Sequence, residues 1–598
     1  MKPDSTPEAP LRGCTSRNSG GGAAEIRVTD GKPVDALVTS QPSVPEVAAV
    51  LAIGWPFATL ALTGILFWIG VPIGPLHLWA ALLIALAAGW RFAGDGGTFV
   101  RAAGGLTLLA LIGGTFGEFV LDFSGDGQWY HLPAILALAE GWNPFQVPVL
   151  ADWNRDFAQA LARRDINDLP TSDYVQHYAK GAWIVAAAAF RATGLLEATK
   201  VLNLFYLVAV YWYALALLQR LQVGGTWRHG LAAAFAVNPV GLYQAPSFFV
   251  DGHVASLCAL CVLVSVEYLL RPRRQTLLLL AACVVLLVNV KFTGAVYAVA
   301  LLAAMFFLAW LSGQRRGLLG YASTGAAAVL TGVLVLGYQP YVTNVEQRGH
   351  PFYPALGHDD GRNVQWNTAP PQFLAMNRAE KLLRSTFAYS SGGEMPRWKP
   401  PFTVSKDELY VFFNTEPRYG GFGPLFGSAL LLALPVFVLA RTKTRQAPWR
   451  VGAYLALAVG AAALLNPEAW WARLSPQIWL VPVVLATALV VGAVGWPRRA
   501  AAFLIAVLLA NAILVAGLNW SRAAGKSLDF RTQIGQLRAA SAAGPLEVTI
   551  HPTFRMITEH RLRRQSIIYT LVPVPKCAQP IYFSFPVSTR AAACPAGS

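Results

Sequence analysis

Charged side chains are scarce in this sequence. Only 13% of its 598 residues are Asp, Glu, Lys or Arg, whereas a soluble protein carries about 25%. Hydrophobic residues make up 55% of the chain, and the mean hydropathy is +0.45. Apolar runs of about twenty residues, each long enough to cross a ~30 Å hydrocarbon core, recur along the chain. The composition therefore excludes an ordinary soluble domain and predicts an all-α polytopic membrane protein.

Cysteine is rare as well, with six residues in the whole chain. Cys258, Cys261 and Cys283 lie inside apolar runs, so we expect them to be packing residues. Cys258 and Cys261 form a Cys-x-x-Cys pair, but the second pair and the histidines of a zinc site are missing. No metal site is predicted from the cysteines.

Acidic residues are fewer than basic ones, which gives a net charge of +16. The arginines gather in short loops between apolar runs, a pattern typical of the cytoplasmic side of a membrane protein. Nucleic-acid binding is therefore not expected. We predict instead a multi-pass protein of the cytoplasmic (inner) membrane, surrounded by membrane lipids.

Thirteen apolar runs are predicted to span the membrane, and a cytoplasmic N-terminus then places every arginine-rich loop inside. The runs lie near 48–70, 75–94, 102–121, 198–218, 230–249, 253–270, 275–290, 293–312, 317–338, 421–440, 451–466, 476–495 and 500–520. The run 181–194 is short and contains Arg191. We expect it to lie at the membrane surface or to enter the membrane partway.

This topology divides the chain into three parts. Residues 1–45, rich in Gly, Ser, Pro and Thr, are predicted to be a disordered cytoplasmic tail. Residues 46–520 form the membrane domain, with long outer loops at 122–197 and 339–420. Residues 521–598 contain strand-like runs and are predicted to form a small extracytoplasmic α/β domain.

Of the three remaining cysteines, Cys14 lies in the N-terminal tail, and the two near the C-terminus bear on this topology. Cys577 and Cys594 both fall in the segment that is predicted to lie outside the membrane. Disulfides form and persist in such compartments. We therefore predict a disulfide between them.

Unusual polar residues gather at the predicted outer boundary of the membrane. They are Asp126, Tyr130 and His131 in the first outer loop, Lys180 before the short helix, Asp251 and His253 in a turn, Lys291 in a hairpin, His350 and Tyr353 in the second outer loop, and Arg473 near the end of the chain's membrane domain. Charged groups beside a bilayer are costly and usually functional. A carboxylate can take the proton of an attacking hydroxyl, and cations can bind a phosphate leaving group. The pattern favours sugar transfer from a lipid phosphate.

Each of these residues also has a structural interpretation. Asp126 and Asp251 are compatible with turn residues, Lys180 and Lys291 with lysines that reach from span ends to water, and Arg473 with an anchor at the interface. His131 and His253 fit hydrogen-bonded structural residues, and His350 and Tyr353 fit residues that shape the second loop.

The order of these residues resembles the GT-C superfamily of membrane glycosyltransferases, which includes protein O-mannosyltransferases and lipid A aminoarabinose transferases. In that family an Asp opens the first outer loop, an aromatic residue follows four positions later, and a surface helix ends at a Gly before a Trp- or Pro-containing turn. Asp126, Tyr130, Gly141 and Trp142-Asn-Pro144 keep this order. Asp251 matches a second acidic residue that begins a later span.

The resemblance extends to cations and implies roles. Lys291 matches a Lys of a downstream hairpin and Lys180 a Lys late in the first loop. By resemblance, Asp126 is the catalytic base, Asp251 orients the acceptor or supports the site, and Lys291 and Lys180 bind the donor phosphate. Arg473 is a further candidate phosphate contact. Gly127 replaces the second acidic residue of a metal pair, so no resident cofactor is assigned, and a divalent cation stays open.

The resemblance thus implies an inverting glycosyltransferase that uses a polyprenyl-phosphate-linked sugar and an extracytoplasmic lipid, glycan or protein acceptor. Three alternatives remain, namely the two activities below and a purely structural or scaffold role. A polysaccharide ligase or polymerase with a lipid-diphosphate donor would depend on outer-loop arginines more than on Asp126. A transporter would show charges deep within several spans or discontinuous helix pairs.

Overall fold

The structure is a computed structural model, which describes residues 41–148, 171–357, 369–389, 394–574, 577, 580–583 and 591–595. Residues 1–40, most of the predicted N-terminal tail, lie outside the described residues, as do parts of both predicted outer loops. The helices are α1 Val44–Trp68, α2 Leu76–Ala93, α3 Gly96–Phe119, α4 Leu132–Ala139, α5 Thr171–His177, α6 Gly181–Thr193, α7 Val201–Arg220, α8 Gly225–Ala236, α9 Pro239–Gln244, α10 Asp251–Leu270, α11 Arg274–Val290, α12 Phe292–Leu311, α13 Leu318–Leu330, α14 Tyr338–Arg348, α15 Pro371–Leu374, α16 Arg378–Phe387, α17 Lys406–Val411, α18 Phe426–Leu439, α19 Gln446–Leu464, α20 Leu480–Gly492, α21 Trp496–Ser541 and α22 Arg555–Arg564.

Ten helical segments in the described part of the chain are long and apolar enough to cross a membrane, which confirms a polytopic α-helical membrane protein. They are Val44–Trp68, Leu76–Ala93, Gly96–Phe119, Glu197–Arg220, Asp251–Leu270, Phe292–Leu311, Leu318–Val335, Phe426–Lys443, Gln446–Leu464 and Trp496–Ser541. Two further predicted spans correspond to the shorter apolar segments Arg274–Val290 and Pro476–Gly492.

The predicted span 230–249 is not one helix. The chain forms α8 and then the short α9, with a break at Val237 and Asn238. The Asn238 side chain accepts a hydrogen bond from Val240 N, and Pro239 occupies the first turn of α9. An Asn cap followed by Pro is a helix-start signal, and it divides an otherwise apolar run.

Helix α6 occupies most of the segment 181–194, which was predicted to lie at the membrane surface or to enter the membrane partway. Its 13 residues extend about 20 Å, which is too short to cross a ~30 Å core. Residues 181–188 are buried, and the helix packs against α1, α2 and α4. The first eight residues of the segment are therefore enclosed by other helices, and the depth of the helix in the membrane stays a prediction.

Two clusters of charged side chains occupy opposite ends of helix α10. Near the C-terminal end of α10, Glu267 accepts a hydrogen bond of 2.5 Å from Arg220, which also pairs with Glu46 in the first turn of α1. Asp251 is the first residue of the same 20-residue helix, so it lies about 30 Å from the other end. The ends that carry Asp251 and Arg220 are called here the acidic end and the arginine end.

The C-terminal region combines the end of α21 with a small sheet. Helix α21 has 46 residues and passes through the predicted domain boundary at 520. Strands β3 Leu546–Thr549, β4 Tyr569–Leu571, β5 Ile581–Phe583 and β6 Ala591–Pro595 form a sheet of order β4-β3-β6-β5, while β1 Ala388–Tyr389 pairs with β2 Arg397–Trp398 elsewhere. Strands β3 and β4 are parallel, and the other two pairs of the larger sheet are antiparallel.

This sheet has its own apolar core against α21. Leu546 and Val548 of β3 pack with Phe530, Ile534 and Leu537 of the helix. The same core includes Phe123, which precedes Asp126 in the chain, so the sheet touches the first loop. Cys577 and Cys594 are joined by a disulfide bond, with Cα atoms 5.9 Å apart.

Candidate functional site

A tight turn after α3 sets the position of Asp126. Asp122 accepts a hydrogen bond from Ser124 N at 2.7 Å, and the Ser124 hydroxyl oxygen accepts one from Gly127 N at 3.2 Å. A Cβ atom at Gly127 would lie 2.0 Å from Asp122 Oδ2. Gly127 is therefore required by this close approach, and any side chain there would displace the neighbouring Asp126.

Asp126 is held by two donors on one of its oxygens. The Tyr130 hydroxyl donates to Asp126 Oδ2 at 3.0 Å, and Arg473 Nη2 donates to the same atom at 2.6 Å. Tyr130 is buried and stacks on Tyr174 with ring centroids 5.1 Å apart. The four-residue spacing of Asp126 and Tyr130 thus corresponds to a direct contact, as one helical turn allows.

Arg473 joins three carboxylates. Besides Asp126, its guanidinium pairs with Glu416. Its Nε lies 3.0 Å from Asp251 Oδ2, but the geometry of this contact is that of an ion pair and not of a hydrogen bond. The group also lies 4.6 Å from the ring centre of Phe249. A planar guanidinium with several donors suits such a junction better than an ammonium group. Asp126, Asp251 and Glu416 around Arg473 are called here the carboxylate cluster.

Asp251 is the most buried member of this cluster. Lys291 forms an ion pair with its Oδ1, and Gln244 Nε2 donates to its Oδ2 at 2.9 Å. Gln244 Oε1 in turn accepts from Gly252 N at 3.1 Å. Asp251 therefore has partners on both oxygens, and Lys291 is already occupied by a carboxylate.

Glu416 was not identified from the sequence. It lies between α17 and α18, in a stretch without hydrophobic periodicity, and it meets Arg473 from 57 residues away. Burial by surrounding protein raises the pKa of Glu416 to about 7 from its ordinary value of 4.5; nearby Asp126 adds to this rise and Arg473 opposes it. Its side chain is 36% exposed, against 18% for Asp126, so Glu416 is the more accessible of the two acids.

A cavity of about 460 Å³ opens beside the cluster. Its walls come from three segments, namely residues 121–125, 410–419 and 519–526, with two residues before α10. Among the residues that line it are Gly125, Glu416, Arg418, Asn519, Arg522 and Lys526. Both polar and apolar side chains contribute, which is typical of a ligand site rather than a packing defect. This space is called here the polar cavity.

Four of the residues predicted from the sequence lie outside the cluster. Lys180 donates to the carbonyl oxygens of Gln176 and Tyr178 at 2.8 Å each, and burial holds its pKa well below the ordinary value. His253 packs edge-on against Tyr206. His350 Nδ1 accepts from Phe352 N at 3.1 Å.

The fourth of these residues, Tyr353, contacts Arg348 and Asp173.

His131 lies at the edge of the cluster, where it packs against Tyr130. Burial lowers the pKa of His131 to about 3, and its Nδ1 accepts a hydrogen bond of 2.6 Å from Trp183. A neutral ring with this fixed partner supports the loop structurally.

The described residues contain no group of three or more His, Cys, Asp or Glu side chains arranged to hold a metal ion. The three acids of the cluster instead surround the guanidinium of Arg473. The chain matches no protein-family model, and no curated protein is significantly similar to it. The function must therefore be argued from the site itself.

Proposed function

We propose that this protein is an inverting glycosyltransferase of the GT-C type, which transfers a sugar from a polyprenyl-phosphate donor to a lipid, glycan or protein acceptor. The observation that carries the proposal is the placement of Asp126. One of its oxygens is fixed by Tyr130 and Arg473, and its neighbour Gly125 lines the polar cavity. Its other oxygen, Oδ1, has no hydrogen bond to any residue that the structure describes.

The arrangement fits general-base chemistry. Asp126 Oδ1 accepts the proton of an acceptor hydroxyl as that oxygen attacks the anomeric carbon of the donor sugar. A glycosidic C–O bond forms, the bond between the anomeric carbon and the phosphate oxygen breaks, and the electron pair leaves with polyprenyl phosphate. Attack from the face opposite the leaving group inverts the anomeric centre.

The membrane orientation supports an extracytoplasmic site. Arg220, Arg271 and Arg445 belong to the arginine end, or to the loops that adjoin it, and basic loops remain in the cytoplasm. The carboxylate cluster belongs to the opposite end. The proposal therefore places the reaction at the outer face of the cytoplasmic membrane, where a polyprenyl carrier presents its sugar.

The test uses the purified protein in lipid nanodiscs with a panel of polyprenyl-phosphate monosaccharides. Mass spectrometry measures the release of polyprenyl phosphate with and without an extract of native membranes and glycans as the acceptor source. We expect one donor to be consumed by the wild-type protein and not by Asp126→Asn. Consumption at equal rates by both proteins would rule out Asp126 as the base, and consumption of no donor would count against the proposed activity.

A second candidate is a polysaccharide ligase or polymerase with a lipid-diphosphate donor. It is favoured by Arg418 and Arg522, two arginines that line the polar cavity. The two candidates release different lipids. Polyprenyl diphosphate as the product, together with a weak effect of Asp126→Asn, would select the second.

A further inference from the structure

Three cations line the polar cavity besides those that the sequence singled out. Arg418 lies on the segment between α17 and α18, and Arg522 and Lys526 lie on α21. Positions four apart share one face of a helix, so Arg522 and Lys526 both line the cavity from α21. Arg418 contributes to the cavity from the other segment.

Within the described part of the chain, none of these three cations forms an ion pair or a side-chain hydrogen bond. Two carboxylates of the cavity wall, Glu416 and Asp122, interact with Arg418 and Lys526 only at longer range, and three cations against two carboxylates leave the lining with a net charge of +1. All other cations that were candidates for phosphate binding are occupied. Lys291 and Arg473 pair with carboxylates, and Lys180 donates to backbone carbonyl oxygens.

The carboxylate cluster itself is unsuited to an anion. With all groups ionised, Asp126, Asp251 and Glu416 carry three negative charges against two positive charges on Arg473 and Lys291, and with Glu416 protonated the charges balance. In neither state is a positive charge left over to attract a phosphate. A phosphate bound beside the cluster, against unpaired cations, would be attracted and still lie close to Asp126.

Two buried polar groups that line the cavity lack partners among the described residues. Asn519 donates to the carbonyl oxygens of Phe412 and Asn414, but its Oδ1 is buried without a hydrogen bond. The hydroxyl of Tyr419 is also buried and unpaired among the described residues. Buried polar atoms normally have partners, and both residues line the cavity. They are suited to hydroxyl groups of a ligand.

We propose that the polar cavity binds the phosphate group of the substrate through Arg418, Arg522 and Lys526, with Asn519 and Tyr419 contacting sugar hydroxyls. Lys291 and Arg473 are then positioning residues that hold Asp251 and Asp126, and Lys180 is structural. The identity of the ligand as a sugar-linked lipid phosphate rests on the proposed function, whereas the anion site rests on the cavity alone.

The experiment measures ligand binding by the purified protein with three probes. They are a short-chain polyprenyl phosphate, the matching polyprenol and inorganic phosphate, each titrated by calorimetry. The variants are Arg522→Gln, Lys526→Gln and the double variant. Arg499→Gln, an exposed arginine at the other end of α21, is the matched control, and thermal melting confirms that each variant is folded.

We expect the Kd for polyprenyl phosphate to rise at least about tenfold in each single variant, since a charge-assisted phosphate contact is worth more than 1.4 kcal/mol. Arg499→Gln should bind as the wild type does. Tight binding of polyprenol would contradict a phosphate site, as would unchanged affinity in the double variant. Binding of inorganic phosphate with the same sensitivity would support the anion site and assign it to a soluble phosphate rather than to a lipid.

Two results separate this inference from the proposed function. If Arg522→Gln and Lys526→Gln weaken phosphate binding while no sugar donor is consumed, the anion site stands and the glycosyltransferase proposal fails. If Asp126→Asn abolishes transfer while the cavity variants bind polyprenyl phosphate normally, the enzyme proposal stands and the location of the phosphate is wrong.

Discussion

Arg561 of α22 donates a hydrogen bond of 2.9 Å to Gln128 Oε1, 433 residues earlier in the chain. Its guanidinium also donates to the carbonyl oxygen of Asp122 at 2.7 Å and to Glu197 at 3.0 Å. Asp122 and Gln128 flank Asp126. The C-terminal region therefore fixes the loop that holds the proposed base, although it contributes no residue to the carboxylate cluster.

We expect Arg561→Ala to destabilise the protein strongly. Glu197 is buried between Arg561 and Lys200, and removal of one partner of a buried ion pair costs about 3–5 kcal/mol. Arg563→Ala on the same helix removes a pair with Glu559 in which the arginine is 69% exposed, so it should cost less than about 1 kcal/mol. Thermal melting in detergent compares the two; equal melting temperatures would show that the Arg561 contacts do not support the fold.

We expect Asp126→Asn to lower the rate of sugar transfer about 10²–10⁴-fold, the usual contribution of a general base. Asparagine keeps the hydrogen-bonding oxygen for Tyr130 but cannot accept the proton. The affinity for polyprenyl phosphate should be unchanged, because the proposed phosphate contacts lie on other residues. Asp529→Asn, an exposed acid on α21, is the control and should leave both quantities as in the wild type.

The sequence predicted part of this site because some of its contacts are local. Asp126 and Tyr130 are one helical turn apart, and Asp251 and Lys291 both fall at span ends on the same side of the predicted topology. Glu416 could not be found in this way. It meets Arg473 only because the chain between α17 and α18 folds over the acidic end, and no spacing in the sequence encodes that contact.

The fold, like the site, was predicted from the sequence only in part. Long apolar runs such as Phe292–Leu311 are recognisable because length and composition alone make them membrane helices. The break at Asn238 was missed because residues on both sides are apolar, although the Asn-Pro pair is a local signal for a new helix. Arg522 and Lys526 lie just beyond the predicted end of the last span, so their shared face became visible only once α21 was seen to continue.

Lys291 is expected to act on Asp251 and not on the phosphate. Lys291→Met should lower the transfer rate while the Kd for polyprenyl phosphate stays constant. The original expectation from the sequence, a direct phosphate contact, requires the Kd to rise. A double-mutant cycle with Asp251→Asn adds a second measurement, since residues in contact usually couple by about 0.5–3 kcal/mol in stability. Additive effects on stability would argue against the ion pair.

Glu416 should make the stability of the protein depend on pH. Its pKa is about 7 in the folded protein and 4.5 as an ordinary value. Between these values the folded protein binds one proton more than the unfolded chain, so stability falls as pH rises through this window. The melting temperature of Glu416→Gln relative to the wild type should therefore increase from pH 5 to pH 8. A constant difference across that range would show that the carboxyl group is ionised throughout.

The last prediction concerns Cys577, Cys594 and the orientation of the chain. If the acidic end faces outward, the disulfide between them lies outside the cell membrane, where it persists. A membrane-impermeant thiol reagent should then label neither cysteine in intact cells until a reductant is added. Cys258, Cys261 and Cys283 are buried and serve as internal controls that stay unlabelled in both cases. Labelling without reductant would show that the thiols are unpaired. Cys14 in the predicted cytoplasmic tail should be labelled only in permeabilised cells. If Cys577 and Cys594 behave in the same way even after reduction, the C-terminal sheet lies in the cytoplasm, and with it Arg561 and the loop of Asp126, which would exclude an outward-facing site.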